Sequence, residues 1–405
     1  MVEATLASIV NDGLCTGCGA CAAVLPPGRV RMALDEQGFL RPRAEQALST
    51  ADQEAVRQVC PGIGLTHENG VSAAGVAYHP VWGPVASLWA GHATDPDIRR
   101  RASSGGVLSA LLIHLLESRQ VDFVLHVRAA TDDPLRNDAV ISTTRDEVAQ
   151  GAGSRYAPAA PVELLPQALA RPGRFAFVGK PCDVAAVRMM MLRDPALAQR
   201  IPFLLSFMCA GTPSLRGTHE VLQRMDVPAA QVVQFRYRGD GWPGLTRAES
   251  RDGSVATMDY NTSWGTILNR HLQPRCKLCA DGTGEFADVV CADAWYGKDG
   301  YPDFAEREGR SLVLARTAAG RELLNGAVSA VVLEPFDIQS LHGLQPYQFF
   351  RKGCLIARLG AMRLAGRVVP SYAGLQLRAA ARQIPVRRFA KEFLGTLRRC
   401  ITGRM

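Results

Sequence analysis

No stretch of this sequence is apolar for long enough to cross a bilayer. Its longest apolar runs, such as Ile201-Pro-Phe-Leu-Leu-Ser-Phe-Met-Cys-Ala210, are strand-sized, well short of the roughly 20 residues a membrane helix needs. The opening residues, MVEATLASIVNDG, carry the acid Glu3 and no basic segment ahead of their apolar residues, so a secretory leader is not expected and a cytoplasmic location is. There is no internal repeat and no low-complexity tract. The Ser103-Ser104-Gly105-Gly106 turn before a helix signal is not G-x-G-x-x-G, so a dinucleotide-binding fingerprint is unsupported there. Acids are nearly absent from the final segment. Thirteen of the chain's 46 Lys and Arg lie beyond residue 350, against one acid, Glu392. That segment carries +12, which leaves 33 bases and 37 acids before it, a net of −4. The basic balance therefore belongs to a tail. The mildly acidic body argues against a nucleic-acid-binding core.

One further absence is more specific. Cys15-Thr-Gly-Cys-Gly-Ala-Cys-Ala-Ala-Val-Leu-Pro26 follows the bacterial ferredoxin run C-x2-C-x2-C-x3-C-P, except that Leu25 stands at the fourth cysteine position. In two-cluster ferredoxins that fourth cysteine ligates the neighbouring cluster, so the run's own cluster needs a remote Cys-Pro. Cys60-Pro61 is the one available. Cys15, Cys18, Cys21 and Cys60 are thus expected to hold one 4Fe–4S cluster. A four-cysteine zinc knuckle, or a purely structural Cys60, is the competing reading; zinc sites favour separated C-x2-C pairs.

What is present is otherwise ordinary for a globular chain of 405 residues, enough for two or three domains. Eleven cysteines in a cytosolic setting point to metal or redox chemistry rather than disulfides. After a connector from Gly62 to Pro84, strand and helix signals alternate. Residues 121–127, 174–178, 201–207 and 311–315 read as strands. Residues 107–116, a segment starting at Asp183, and 320–327 read as helices. The body is therefore α/β. Ser103 or Ser104 is expected to cap the first of these helices.

Four more cysteines stand apart. Cys276 and Cys279 form a C-x2-C pair, while Cys182 and Cys209 each follow a strand signal, where ligands collect in α/β sheets. They make either a second four-thiolate site or buried inert thiols. Cys291, Cys354 and Cys400 are left over as structural. The turn Ser103-Ser104-Gly105-Gly106 opens a helix near Arg99, Arg100 and Arg101, which suits an anion or an ordinary capped helix equally. Between Ile384 and Arg404, Val386, Phe389, Phe393, Leu397 and Ile401 recur every three or four positions, flanked by Arg387, Arg388, Lys391, Arg398 and Arg399. This basic amphipathic helix either lies on an anionic membrane surface, packs on the body, or docks an acidic ferredoxin.

Taken in order, Ser-Ser-Gly-Gly (103–106), Gly-Ser-Arg-Tyr (153–156), Val-Gly-Lys-Pro-Cys-Asp (178–183), Phe-Met-Cys-Ala-Gly-Thr-Pro-Ser (207–214), Tyr-Arg-Gly-Asp-Gly-Trp-Pro-Gly (237–244) and Arg-Cys-Lys-Leu-Cys-Ala-Asp-Gly (275–282) resemble the coenzyme F420 hydrogenase/dehydrogenase beta-subunit family. Phe286-Ala-Asp-Val-Val and Asp293-Ala-Trp295 extend the resemblance, which spans about residues 10 to 350. Vinyl- and hydroxymethyl-reducing enzymes of chlorophyll synthesis and exopolysaccharide-associated homologues are similar too. The resemblance implies an iron–sulfur flavoprotein oxidoreductase with FAD and two 4Fe–4S clusters, in which Cys182, Cys209, Cys276 and Cys279 ligate the second. It implies that Ser103, Ser104, Gly105, Gly106, Ser154, Arg155, Tyr156, Gly179, Lys180 and Pro181 line the flavin. A ferredoxin-type donor would load the clusters, and the flavin would reduce a small or lipid-linked substrate, in polysaccharide biosynthesis or elsewhere. The alternatives are a shuttle subunit without its own substrate site, or an F420 or vinyl reductase.

The implied layout is a ferredoxin-like module (1–65), a flavin-binding half (85–175), a second half bearing the other cluster (176–350) and a basic helical tail (351–405). Lys180 replaces a threonine common in the family, and Ala292 replaces a glycine, with Cys291 beside it as an extra thiol that either competes as a ligand or packs. Proton-donor candidates are His126, Tyr156, Asp240 and Asp293, each weighed against a structural role. Trp242 and Trp264 either stack on an aromatic ligand or pack in the core.

Overall fold

A computed structural model describes residues 4–67, 76–298 and 301–403. Glu3, residues 68–75 of the connector, and Arg404 lie outside the described residues.

Among the described residues the central sheet has eight strands: β1 (Ser87–Ala93), β2 (Phe123–Ala129), β3 (Asn137–Ser142), β4 (Phe175–Gly179), β5 (Phe203–Phe207), β6 (Val289–Asp293), β7 (Ser311–Ala315) and β8 (Val331–Pro335). Their spatial order is β8-β1-β7-β6-β5-β4-β2-β3. β6, β5, β4 and β2 run parallel. β7, β1 and β8 continue antiparallel at one side, and β3 closes the other. The body is mixed α/β. Every residue of β4 and β7 is buried, because central strands are covered on both faces. Alternation sorts their side chains: Phe175 and Phe177 face the core that includes Val184 and Val187, whereas Ala176 and Val178 face the core that includes Val107 and Leu111.

The helices Val107–Glu117 and Pro181–Arg193 supply those two covers. The first matches expectation, but its cap does not. Gly106 occupies the N-cap position at φ 78, with no side-chain hydrogen bond, because the serines before it are turned to other partners. The second helix starts at Pro181, two residues earlier than expected. Proline suits a first turn, where its missing N–H costs nothing.

The N-terminal module consists of helices Leu6–Asn11, Ala20–Val24 and Thr50–Val59 around a hairpin of Val30–Leu34 with Leu40–Ala44. Leu6, Ile9, Val30 and Val56 make its small core, and Leu25 is buried among them. The residue standing where a fourth ligand would be is thus a core leucine. Within the connector, Gly64–Thr66 is a strand. It pairs in parallel with Ser371–Ala373 from the C-terminal segment.

The helix Pro346–Gly353 straddles the expected boundary at 350/351. The last helix, Val386–Ile401, packs on Leu355–Leu364; Phe393 reaches Gly360, and Thr396 and Cys400 are buried. Val386, Leu394 and Ile401 remain exposed. Among the described residues no helix is long and apolar enough to cross a membrane.

Candidate functional site

Because β4, β5 and β6 are parallel, their C-terminal ends deliver Lys180, Met208 and Asp293 to one edge of the sheet. Cys182 follows β4 and Cys209 follows β5. Cys276 lies in the short helical turn Pro274–Leu278, and Cys279 directly follows it. All four thiols line one cavity, together with Thr16, Pro61, Thr212, Gln273, Arg275, Asp281 and Arg351. Burial pushes the Cys209 thiol up to about 12, with the neighbouring Cys276 as the next cause. Thiolates here need a compensating charge. Two guanidinium groups, Arg275 and Arg351, are buried beside them, and the Thr212 N–H donates to Cys276 Sγ at 3.3 Å.

The other four thiols also converge. Burial pushes Cys18 up to about 12 and Cys60 up to about 11; the Cys60 thiol adds to the first shift and the Cys15 thiol to the second. Cys21 is raised by burial first and then by Cys18, Cys15 and Cys60. Backbone approach is tight here. A Cβ on Gly62 would lie 2.5 Å from the Leu14 carbonyl oxygen and 3.2 Å from Cys60 Sγ.

Two side chains that sequence reasoning passed over bind the thiol sets together. Arg275, next to Cys276, donates to the carbonyls of Pro61 and Gly62 at 2.8 Å each, immediately after Cys60. Gln273 donates to the Thr16 carbonyl at 2.9 Å and accepts from Arg41 at 3.0 Å. A third omission is Arg351, which donates to the Cys209 carbonyl at 2.7 Å from beyond the expected tail boundary. The arginine before C-x2-C was visible in the sequence. Arg351 carried no local signal.

The segments expected to line a flavin also meet. Ser103 Oγ and Ser154 Oγ are 2.6 Å apart. Lys180 Nζ donates to the Ala159 carbonyl at 2.9 Å and pairs with Asp183 at 2.7 Å. Burial acts to lower the Lys180 ammonium, but Asp183 outweighs it and the net direction is upward. Ser104 Oγ lies 3.1 Å from the Ala292 and Arg310 carbonyls, and the Gly105 N–H donates to Ser311 Oγ at 2.9 Å. Gly105 and Gly106 are therefore packed into protein. Arg155 donates to Asn137 Oδ1 and to the carbonyls of Phe235, Pro134 and Arg136, so it acts as a staple of its loop.

Of the proton-donor candidates, His126 sits in the core at β2, 2.8 Å from Ser142 Oγ, and burial lowers it to about 4. Asp240, itself exposed, pairs with Arg236 at 3.3 Å. Asp293 accepts two bonds from Arg238 at 2.9 Å and one from Trp242 Nε1 at 2.7 Å. Tyr156 is half-buried, and its hydroxyl accepts from Arg238 at 3.3 Å. Trp242 stacks on Trp295 at 4.6 Å in the core; Trp264 packs against Tyr156.

Among the described residues, no three or more His, Cys, Asp or Glu side chains close on a single metal ion. The thiols ring a wider cavity. Thr212 Oγ1 and Asp281 Oδ2, both on its wall, are buried without a hydrogen-bond partner. Four thiols, two buried cations and two unpartnered polar atoms fit a polynuclear iron–sulfur group better than packed apolar contact.

A mixed α/β sheet with a thiol-lined edge suits an electron-transfer oxidoreductase. Models of the coenzyme F420 hydrogenase/dehydrogenase beta subunit match residues 88–166 (N-terminal part) and 173–340 (C-terminal part), and the chain belongs to that family. The coenzyme F420 hydrogenase beta subunit of Methanococcus voltae is 27% identical over 258 residues, 62% of this chain and 83% of its own. The F420-dependent formate dehydrogenase beta subunit of Methanocaldococcus jannaschii is 32% identical, over 55% of this chain and 57% of its own. A chain of the F420-reducing NiFe hydrogenase complex of Methanosarcina barkeri shares the fold, with a TM-score of 0.54 and 20% identity. The match covers 70% of this chain and 95% of that one.

Proposed function

We propose that this chain is an iron–sulfur flavoprotein that moves electrons between a protein donor and an organic acceptor. Cys15, Cys18, Cys21 and Cys60 would hold one 4Fe–4S cluster, and Cys182, Cys209, Cys276 and Cys279 a second. FAD would lie along Ser103, Ser154, Tyr156 and Gly179-Lys180-Pro181. Such clusters supply single-electron transfer, and a flavin supplies two-electron hydride chemistry. The observation that carries the reading is the shared wall: Thr16 and Pro61, each next to a ligand of the first set, line the cavity of the second.

The chain's own residues then have distinct tasks. Gln273 and Arg275 fix the distance between the thiol sets, which an electron relay requires to be short and constant. Arg351 and Arg275 offset thiolate charge. Lys180 joins the second thiol set to the flavin segments, since it neighbours Cys182 and reaches Ala159. Arg238, Asp293 and Trp242 hold the 237–244 loop against the end of β6. Tyr156 is the proton-bearing side chain best placed to donate, because Asp293 is spent as an acceptor, Asp240 is exposed and paired with Arg236, and His126 lies in the core.

Anaerobic purification with iron, sulfide and flavin measured per chain tests this. About eight irons and one FAD are expected. Neither iron nor flavin after iron-replete expression would overturn it. A second reading, a shuttle subunit within a larger complex, is favoured by the structural neighbour, which is a chain of a hydrogenase complex. Under that reading the purified chain oxidises a chemical donor only when a partner is added. An F420 acceptor is suggested by the names of the relatives, and screening reduced deazaflavin against other acceptors decides it.

A further inference from the structure

The second thiol pair is overlaid by the C-terminal segment, which lies beyond the residues matched by the family models. Lys277, between Cys276 and Cys279, is exposed. Arg358, on the helix Leu355–Leu364, donates to the Lys277 carbonyl at 3.1 Å and pairs with Glu392 of the last helix. The last helix thus lies along the C-x2-C turn. Its inward side is set by Phe393, Thr396 and Cys400. On a 3.6-residue period, Arg399, Lys391, Arg398 and Arg387 then follow one another around one flank. All four are exposed, and exposed Leu394 and Ile401 border them. The one acid of the segment, Glu392, is already held by Arg358 at 3.0 Å.

We propose that this face, the last helix together with Lys277, is the docking surface for a small acidic one-electron carrier protein that exchanges electrons with the Cys276–Cys279 side of the second cluster. The proposal rests on the cluster assignment above. The charge distribution selects the partner: with buried Arg351 and Lys352 set aside, the segment beyond residue 350 still has eleven bases against one acid, while the residues before it carry −4, so an acidic protein is drawn to this end and repelled elsewhere. An apolar border inside a charged field is the make-up of a transient interface. In each encounter one electron leaves the carrier's centre, which is oxidised by one, and this chain is reduced by one. No bond forms and no proton is needed. Two encounters deliver a pair.

The test uses the full chain and a variant, Lys391→Glu/Arg398→Glu/Arg399→Glu, with an acidic plant-type ferredoxin as probe. Three quantities are measured: binding to immobilised ferredoxin at low and high salt, reduction by photoreduced ferredoxin, and bleaching by dithionite. Expected are salt-sensitive binding and a ferredoxin rate at least about tenfold lower in the variant at low salt, with dithionite bleaching and iron content unchanged. An unchanged ferredoxin rate, or salt-independent binding, overturns the proposal. So does tail-dependent sedimentation with phosphatidylglycerol vesicles when ferredoxin binding is absent, since the face would then serve a membrane. Salt-sensitive binding that the variant loses, in a chain that holds no iron, would retain the docking face and reject the cluster assignment instead.

Discussion

Arg238 grips Asp293 with both terminal nitrogens, each 2.9 Å from a carboxylate oxygen. Arg238 follows the strand Val232–Arg236 of a three-stranded sheet, and Asp293 ends β6 of the central one. The pair therefore fastens the outer sheet and its glycine-rich loop to the thiol-bearing edge. Bidentate geometry and stacking over Tyr260 and Trp295 make lysine a poor substitute.

Removing Asp293 should be costly. Asp293→Ala leaves Arg238, 3% exposed, without its counter-charge, and a loss of roughly 3–5 kcal/mol is expected in urea denaturation. Asp293→Asn keeps an acceptor and should lose less. If the loop borders the flavin, Asp293→Ala should also lower the flavin absorbance per chain.

The two thiol sets should be separable by iron content. Cys279→Ser is expected to remove about four irons while the rest survive, and Cys60→Ser the complementary four. Arg275→Ala removes no ligand, but it takes away a cation buried beside the thiols. It breaks the tie from the C-x2-C turn to Pro61 and Gly62, and should lower retention of both clusters during gel filtration.

Glu285 has no exposed surface and contacts Lys352, His67 and Tyr78. Burial alone would raise its carboxyl, but Lys352 first and His67 next bring it down to about 2. Glu285→Ala strands Lys352 in the core, and a destabilisation of roughly 3–5 kcal/mol is expected. Adding Lys352→Met should restore much of it, as a double-mutant cycle by urea denaturation would show.

His126 predicts a pH dependence. Its ordinary value is 6.5, and burial, followed by Arg128, lowers it to about 4 in the folded chain. Between those values the unfolded chain binds a proton that the folded chain refuses, so stability falls as pH drops from 6.5 towards 4. The contribution at the lower end is about 3 kcal/mol. Urea midpoints of His126→Gln should fall less steeply over that window than those of the parent chain.

Much of this was legible from residue order. The cysteine spacing, the missing ligand at Leu25, and four of the eight central strands, β2, β4, β5 and β7, follow from local pattern, because a ligand spacing or a buried apolar run is set by a few neighbouring residues. The expectation that Ser103 or Ser104 caps a helix failed for a reason outside that range. Ser103 meets Ser154, and Ser104 meets carbonyls at Ala292 and Arg310, far along the chain.

Two outcomes turned on tertiary contact alone. His126 looks like a candidate acid in isolation, but β3 and Gly151 close over it and burial makes it a neutral core residue. Arg351 and Lys352 look like the start of a solvated basic tail, but one pairs with the cavity wall and the other with Glu285. The sequence by itself determined which chemistry the chain carries: thiols at cluster spacing, an α/β body and a cationic end. Only the tertiary structure decided which thiols share a wall, which cations are buried beside them and where the basic helix lies. Those depend on contacts between residues tens to hundreds of positions apart, whose energies no local pattern encodes.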